Sequence, residues 1–297
     1  MPALVHFYAL HSKLIDQIGI NAIFALSLSL TLQAGHLALA NAAFGGIAAY
    51  VASLLSISRG WPLVVTTLIG AAGAAFVGAL IGMPVTRLRG VFLAIATIGF
   101  GEIALIVENN LSITGGAEGL SQIPNETTTW KIYLVLAILG FFFWRLRLTR
   151  AGWAIAAVRE DEHAAASFGI DPSRVKFWTF VGSAAIAGIA GSLYAHENFF
   201  IAPGDWGFSR MVDILVYCVI GGVASPWGAM IGAALISILP EVFRFLHDYR
   251  DIVNGIVLLA VVVFAPQGIA GLWSSDRRAP RLASAETPTE VPAIGEQ

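Results

Sequence analysis

The sequence contains few charged residues. Only 12% of its 297 residues are Asp, Glu, Lys or Arg, whereas 57% are hydrophobic and the mean hydropathy is +0.77. Because soluble domains carry about 25% charged residues, this composition excludes an ordinary water-soluble protein and predicts a multi-pass protein of the lipid bilayer. The near balance of 17 basic and 19 acidic residues gives no sign of a nucleic-acid partner.

Other absences remove further classes of function. Cys218 is the only cysteine, which excludes an intrachain disulfide framework and a thiolate metal site. The histidines at 6, 11, 196 and 247 show no metal-ligand spacing, so we predict no metal. The P-loop pattern Gly-x-x-x-x-Gly-Lys-Ser/Thr is absent, so we expect no bound ATP and no cofactor on this chain. An enzyme has little support, since no Ser/His/Asp set falls convincingly at one membrane depth. The N-terminus does not resemble a cleavable signal peptide.

Hydrophobic runs of the length that spans a bilayer, about 20 residues, recur along the chain. They predict an all-α fold with about eight transmembrane helices and a short helix before a Gly-Gly/Pro break at residues 221–226. The predicted spans are 16–34, 37–57, 62–82, 91–108, 130–144, 175–196, 227–246 and 252–272, with the short helix beginning near 211. We expect a transmembrane domain over 1–273 and a disordered tail over 274–297.

The distribution of basic residues predicts the orientation. If the spans alternate and the short helix counts as a crossing, eleven Lys and Arg residues fall on one side and six on the other. The richer side, which holds the charged segment 145–176, is predicted to be cytoplasmic. The loop 109–129, without Lys or Arg, and the N-terminus are then external.

The charged segment 145–176 is the longest polar interruption between spans. Residues 151–168 are predicted to form one short helix, with Gly169 as its C-terminal cap and Pro172 preventing its continuation. Its predicted apolar contact surface consists of Ala154, Ala157, Val158, Ala164, Ala165 and Phe168. This surface suits docking on a partner, and the alternative is a solvated connector.

Several stretches resemble one known family. They are Leu-Ala-Leu-Ala-Asn-Ala-Ala-Phe-Gly-Gly-Ile-Ala-Ala-Tyr (37–50), Gly-Val-Phe-Leu-Ala-Ile-Ala-Thr-Ile-Gly-Phe-Gly-Glu-Ile (90–103), Thr-Gly-Gly-Ala-Glu-Gly-Leu (114–120), Val-Ile-Gly-Gly-Val-Ala-Ser-Pro-Trp-Gly-Ala-Met-Ile-Gly-Ala (219–233) and Phe-Ala-Pro-Gln-Gly-Ile-Ala-Gly-Leu (264–272). Over roughly residues 20–272, the order and spacing of these stretches resemble the permease subunit of branched-chain amino acid ABC importers.

The resemblance implies that the charged segment couples the permease to an ATPase. The residues carried over are Arg150, Gly152, Arg159, Glu162, His163, Ala164, Ala165, Gly169 and Pro172. Family members often carry Glu-Ala-Ala-x-x-x-Gly here, whereas this chain has His163-Ala-Ala-Ala-Ser-Phe-Gly169. A specific role for that carboxylate therefore does not carry over to His163.

The resemblance also implies the partners. They would be a second, homologous permease subunit, two cytoplasmic ATP-binding subunits, and a periplasmic or extracellular substrate-binding protein. The chain would sit in a bacterial inner membrane and import branched-chain or related hydrophobic amino acids. Urea, amides or another small metabolite are alternative substrates. An ion-coupled secondary transporter, with its ion at Glu102 or Asp213, is the alternative of another class.

Polar residues and glycines within the spans are candidates for the translocation path. Glu102 lies inside a span, where a carboxylate is costly, and we weigh a path residue against a structural hydrogen bond. For His36 and Asn41 we favour bundle contacts over substrate binding. Gly221 and Gly222 form either a broken helix at the path or a tight turn.

The external loop contains a second glycine-rich candidate. Thr114, Gly115 and Gly116 offer backbone N–H groups for a carboxylate. A docking surface for a binding protein and a plain turn are the alternatives.

Overall fold

The computed structural model describes residues 2–88, 90–223 and 225–242. The predictions for a span at 252–272, for the tail at 274–297 and for the end of the span at 227–246 lie outside these residues. Within them the chain is helical, and its β-pairing is limited to an isolated bridge between Leu120 and Ile201.

Ten α-helices make up this part of the chain. They are α1 (Pro2–Gln33), α2 (Asn41–Arg59), α3 (Leu63–Val85), α4 (Val91–Asn110), α5 (Thr129–Arg147), α6 (Arg150–Glu160), α7 (Glu162–Ser167), α8 (Pro172–Asn198), α9 (Phe208–Gly221) and α10 (Pro226–Val242). Short 3₁₀ helices cover Ser112–Thr114, Gly116–Glu118 and Pro203–Trp206.

Six of these helices are long and apolar enough to cross a membrane, namely Ser12–Gln33 of α1 together with α2, α3, α4, α5 and α8. They confirm the first six predicted spans. The prediction was wrong at the start of the second span, because residues 34–40 are not helical and α2 begins at Asn41. In this connection the Leu39 N–H donates to Thr97 Oγ1 of α4 at 2.9 Å.

Helix α8 lies at the centre of the bundle and packs along α1, α2 and α3. Glycines allow the backbones to touch. A Cβ on Gly191 would lie 2.0 Å from the Gly45 carbonyl oxygen, and one on Gly188 would lie 2.9 Å from Ala71 Cα. Close approach of this kind at small residues is how membrane helices pack without a hydrophobic driving force between them.

Helices α9 and α10 form a hairpin, bent by 118° at the break after Gly221. Both helices are hydrogen-bonded to Asn21 of α1. Arg210 Nη2 of α9 donates to Asn21 Oδ1, and Asn21 Nδ2 donates to Ser237 Oγ of α10, each at 2.8 Å. The 14 residues of α9 rise about 21 Å, less than the roughly 30 Å hydrocarbon core. The short helix alone is therefore shorter than a full span, and its count as a crossing stays a prediction.

The alternation of the spans places the connections at two ends. At one end, which we call the predicted cytoplasmic end, Gly35 after α1 lies against Arg159 of α6, and Gly82 near the end of α3 lies against Phe177 and Phe180 of α8. At the other, the predicted external end, the Leu63 N–H donates to Glu126 Oε2 at 2.6 Å. The single cysteine, Cys218, is buried between α9 and α1, where its thiol donates to the Ala25 carbonyl at 3.2 Å.

Candidate coupling segment and translocation residues

The predicted single helix over 151–168 is two helices. Asp161 adopts an extended backbone (φ −157°, ψ 115°), and its carboxylate accepts from the N–H groups of His163 (2.7 Å) and Ala164 (3.0 Å). These hydrogen bonds, led by that from Ala164, lower the pKa of Asp161. An aspartate that caps the following helix in this way interrupts the preceding one, which is why α6 ends at Glu160.

The end of the segment is also defined by caps. Gly169 takes a left-handed backbone (φ 80°), and the Ile170 N–H donates to the Ala165 carbonyl at 3.1 Å, so the predicted cap is confirmed. Asp171 then caps α8, and Pro172 occupies its first turn. Pro172 thus starts a helix, which suits its fixed φ and missing N–H.

Gly152 fixes how α6 meets α5. A Cβ at this position would lie 2.1 Å from the Leu146 carbonyl oxygen, which is backbone and cannot rotate away. The Gly152 N–H donates to the Thr149 hydroxyl at the start of α6. The turn between the two helices therefore accepts only glycine without a shift of the backbone.

Some residues of the predicted apolar contact surface face the protein interior, and others face outward. Val158 and Ala165 are 2% and 3% exposed and pack into the protein, so they cannot touch a partner. Phe168 is 86% exposed and Ala164 is exposed as well. Trp153, which was not part of the predicted surface, is 72% exposed. The large outward apolar side chains of the segment are thus Trp153 and Phe168, and we call these two residues together with Ala164 the coupling surface.

The charged candidates of the segment lie around this surface. Arg150, Arg159 and His163 are exposed. The backbone of Arg159 contacts the connection between α1 and α2, because a Cβ on Gly35 (φ 77°) would lie 3.1 Å from Arg159 Cα.

Glu162, Lys176 and His36 form a partly buried cluster beneath the segment. Lys176 at the start of α8 makes an ion pair with Glu162 of α7, and the Lys176 side chain is buried. His36 is buried beside them, and neither of its ring nitrogens has a hydrogen-bond partner among the described residues. Burial, followed by the positive charge of Lys176, lowers the pKa of His36 to about 4. His36 is therefore a neutral group at the predicted cytoplasmic end.

The other path candidates lie deeper in the bundle. The Asn41 amide lies 2.8 Å from both Ser27 Oγ and Ser183 Oγ, joining α2 to α1 and α8. Glu102 is half-buried on α4. A Cβ on Gly221 would lie 1.9 Å from the Gly228 carbonyl oxygen, and Gly222 has φ 106°, so both glycines are required by the turn of the hairpin.

Of the three alternatives for Thr114, Gly115 and Gly116, the one with free N–H groups does not fit either glycine, whereas the contact with a binding protein stays a prediction. The Gly115 N–H donates to the Ser112 carbonyl, and the Gly116 N–H donates to the Leu111 carbonyl. Thr114 is buried, and its hydroxyl donates to the Glu108 and Leu111 carbonyls at 2.6 and 2.7 Å. These residues build a turn at the end of α4.

Sequence reasoning missed three residues that the structure brings forward. Trp153 and Lys176 lie in the segment that was singled out, but its periodicity did not show which face is covered. Glu108, near the end of α4, is 5% exposed, and neither of its carboxylate oxygens has a partner among the described residues. An acidic residue at the end of a predicted span was the available signal.

The apolar bundle, the bent hairpin of α9 and α10 and the capped segment at one end define a multi-pass membrane permease. A family model described as the branched-chain amino acid transport system / permease component matches residues 11–262, and the chain belongs to this family.

Curated relatives agree with the family. The chain is 32% identical over 287 aligned residues to the high-affinity branched-chain amino acid transport system permease protein LivM of Escherichia coli K12, covering 85% of this chain and 66% of LivM. It is 27% identical to the permease protein LivH of the same organism, covering 73% of this chain and 78% of LivH. The chain thus spans just under two thirds of the length of the LivM relatives. No solved structure matches it.

Proposed function

We propose that this chain is a membrane permease subunit of an ABC importer that translocates branched-chain or related hydrophobic amino acids. The observation that carries the proposal is the coupling surface, in which Trp153 and Phe168 stand exposed on two capped helices at the end of a membrane bundle. Large exposed apolar side chains at a rigid site are typical of a protein interface. The names of the LivM and LivH relatives supply the substrate class.

The complex would contain a second, homologous permease subunit, two cytoplasmic ATP-binding subunits and an external substrate-binding protein, in a bacterial inner membrane. ATP would be bound and hydrolysed by the ATP-binding subunits. The present chain would supply alternating access, in which each state of the complex exposes the path to one side. It carries out no covalent chemistry in this scheme.

The contacts of the segment suggest how movement reaches the path. The backbone of α6 at Arg159 lies against Gly35, and α7 is joined to α8 by the Glu162–Lys176 ion pair. The connection that contains Gly35 continues to Leu39, whose N–H is bound to Thr97 in the middle of α4. A displacement of the coupling surface is therefore delivered to α4 and α8 together.

Replacement of the two exposed aromatic residues tests the proposal. We expect Trp153→Ala and Phe168→Ala each to weaken binding of the ATP-binding subunits by about 2 kcal/mol, since truncation of a central aromatic at an interface costs about that much. The loss is measured by co-purification in mild detergent and by ATP-driven leucine uptake into proteoliposomes that contain all subunits. Both variants should keep the melting temperature of the permease, because both side chains are exposed.

Trp130→Ala is the matched control. Trp130 is also strongly exposed, at 61%, but it lies at the predicted external end. Its replacement should leave co-purification unchanged. Full assembly and full uptake by the double variant Trp153→Ala/Phe168→Ala would contradict the assignment of the coupling surface. Leucine uptake by the purified chain alone, driven by an ion gradient, would overturn the importer proposal itself.

A further inference from the structure

A cavity of about 360 Å³ lies between α2 and α4 toward the predicted external end. Its walls are largely apolar, formed by Ile47, Val51, Phe100, Ala104 and Val107 among others. It is open where Ile103 and Val107 are exposed on α4. The volume is at the lower end of the roughly 300–1,000 Å³ that small-molecule sites occupy, which suits a ligand of the size of an aliphatic amino acid.

Glu108 lines this cavity and is its acidic residue. The side chain is buried, and among the described residues no Lys, Arg or His lies within ion-pair distance and no donor reaches either carboxylate oxygen. The carboxylate packs against Gly46 of α2, where a Cβ would lie 2.8 Å from Glu108 Oε1. Burial of a carboxylate without a partner is costly, and such a group in a native protein calls for an explanation.

Two hydrogen-bond donors beside Glu108 are also without partners among the described residues. The Tyr50 hydroxyl belongs to the same cavity, and Trp206 Nε1 belongs to a ring whose Cγ would lie 2.8 Å from the same Gly46 Cβ. The Trp206 ring is held by Phe24 and Tyr194, with ring centroids 6.3 and 5.2 Å away. The site thus combines a hydrogen-bond acceptor, the Glu108 carboxyl group, with neutral hydrogen-bond donors and an apolar wall.

We propose that this cavity binds the primary ammonium group of an aliphatic amino acid through the Glu108 carboxylate. The aliphatic chain lies along Ile47, Phe100 and Val107, and the Tyr50 hydroxyl, which lines the cavity, is the donor available to the ligand carboxylate. A buried carboxylate gains most from a cation that brings its own hydrogen-bond donors. This inference rests on the proposed import of amino acids and adds to it a substrate contact on the permease itself.

Ligand binding to the purified permease complex, without the substrate-binding protein, tests the proposal. The probes are L-leucine, isopentylamine, which keeps the ammonium and the aliphatic chain, and isocaproate, which lacks the ammonium. We expect the wild type to bind leucine and isopentylamine but not isocaproate. Glu108→Gln should weaken isopentylamine binding about tenfold or more, the effect of losing a charged hydrogen bond, and Glu108→Asp should retain part of it.

Glu118→Gln serves as the control, because Glu118 is an exposed acidic residue of the same end and lies outside the cavity. Gel filtration and recovery of the ATP-binding subunits check that each variant is folded. The inference is overturned if the wild type does not bind isopentylamine, or if the wild type and Glu108→Gln bind it equally. Glu108 is then a neutral, structural residue. Leucine uptake by the wild type in proteoliposomes reports separately on the proposed function, so the two can fail independently.

Discussion

The two ends of the bundle treat their polar groups in opposite ways. At the predicted cytoplasmic end, the carboxylates of Asp161 and Asp171 cap helices, and the buried Lys176 has Glu162 as its ion-pair partner. At the predicted external end, Glu108 and Tyr50 are buried with side-chain polar atoms that lack partners among the described residues.

The difference follows from what each end has to do. A segment that transmits force must keep one shape, and local caps and an ion pair provide this while leaving apolar side chains free to meet a partner. A site that receives a ligand must keep hydrogen-bonding groups available, at a cost in stability. His36 is the exception at the first end, since its ring nitrogens have no partners among the described residues.

The largest expected effect comes from adding a side chain at Gly152, where α6 touches α5 at the predicted cytoplasmic end. Gly152→Ala places a Cβ 2.1 Å from the Leu146 carbonyl oxygen, so α6 must shift away from α5. We expect a loss of about 3 kcal/mol in stability, at the upper range for overpacking, and loss of the ATP-binding subunits on purification. Gly73→Ala is the control, because nothing lies within 4 Å of its Cβ position. Equal melting temperatures for the two variants would contradict the rigid packing of this end.

The buried His36 at the predicted cytoplasmic end predicts that the stability of the protein depends on pH. His36 has a folded-state pKa of about 4 against an ordinary value of 6.5, so below pH 6.5 the unfolded chain binds a proton that the folded chain does not. The free energy of unfolding therefore has its full value above pH 6.5. It falls as the pH drops towards 4, by up to about 3 kcal/mol over the whole range. About half of that loss falls between neutral pH and about pH 5, where thermal unfolding in detergent measures it.

His36→Leu supplies the comparison for this prediction. It removes the titrating group beside Lys176 and Glu162, and it should flatten the decline of the melting temperature below pH 6.5. Parallel curves for the wild type and His36→Leu would show that His36 is not the group responsible.

The smallest effect concerns the turn at the external end. Thr114→Val removes a hydroxyl that donates to the Glu108 and Leu111 carbonyls, and we expect a loss of about 1 kcal/mol, the usual net value of a hydrogen bond. Ser112→Ala, at an exposed position of the same turn, should change little. Equal melting temperatures for Thr114→Val and Ser112→Ala would contradict the structural role of the Thr114 hydroxyl.

The sequence was sufficient for the spans because hydropathy over about 20 residues reports directly on membrane crossing. It failed at residues 34–40, whose apolar composition continues that of α2 although the backbone there is not helical and the Leu39 N–H is bound to Thr97. No local property of Leu39 indicates that its N–H finds a hydroxyl on a helix 58 residues away.

The candidate site was predicted in location but not in detail. Gly169 and Pro172 are local signals, and their positions at the ends of helices followed from the sequence. Which residues face outward did not, because alanines occur on all sides of α6 and α7 and so carry no periodic signal. The inward side of Ala165 and the outward side of Phe168 are set by packing against the bundle, which is a tertiary property.

The buried position of Cys218 has a practical consequence. Its thiol is the only one in the chain and is enclosed between α9 and α1, so thiol-reactive dyes added to the folded protein find no native target. Cysteines introduced at Ser112 and Ser167, exposed at opposite ends, could therefore carry a fluorophore pair against a silent background. Energy transfer between them would follow, in real time, how the distance across the bilayer changes during a transport cycle.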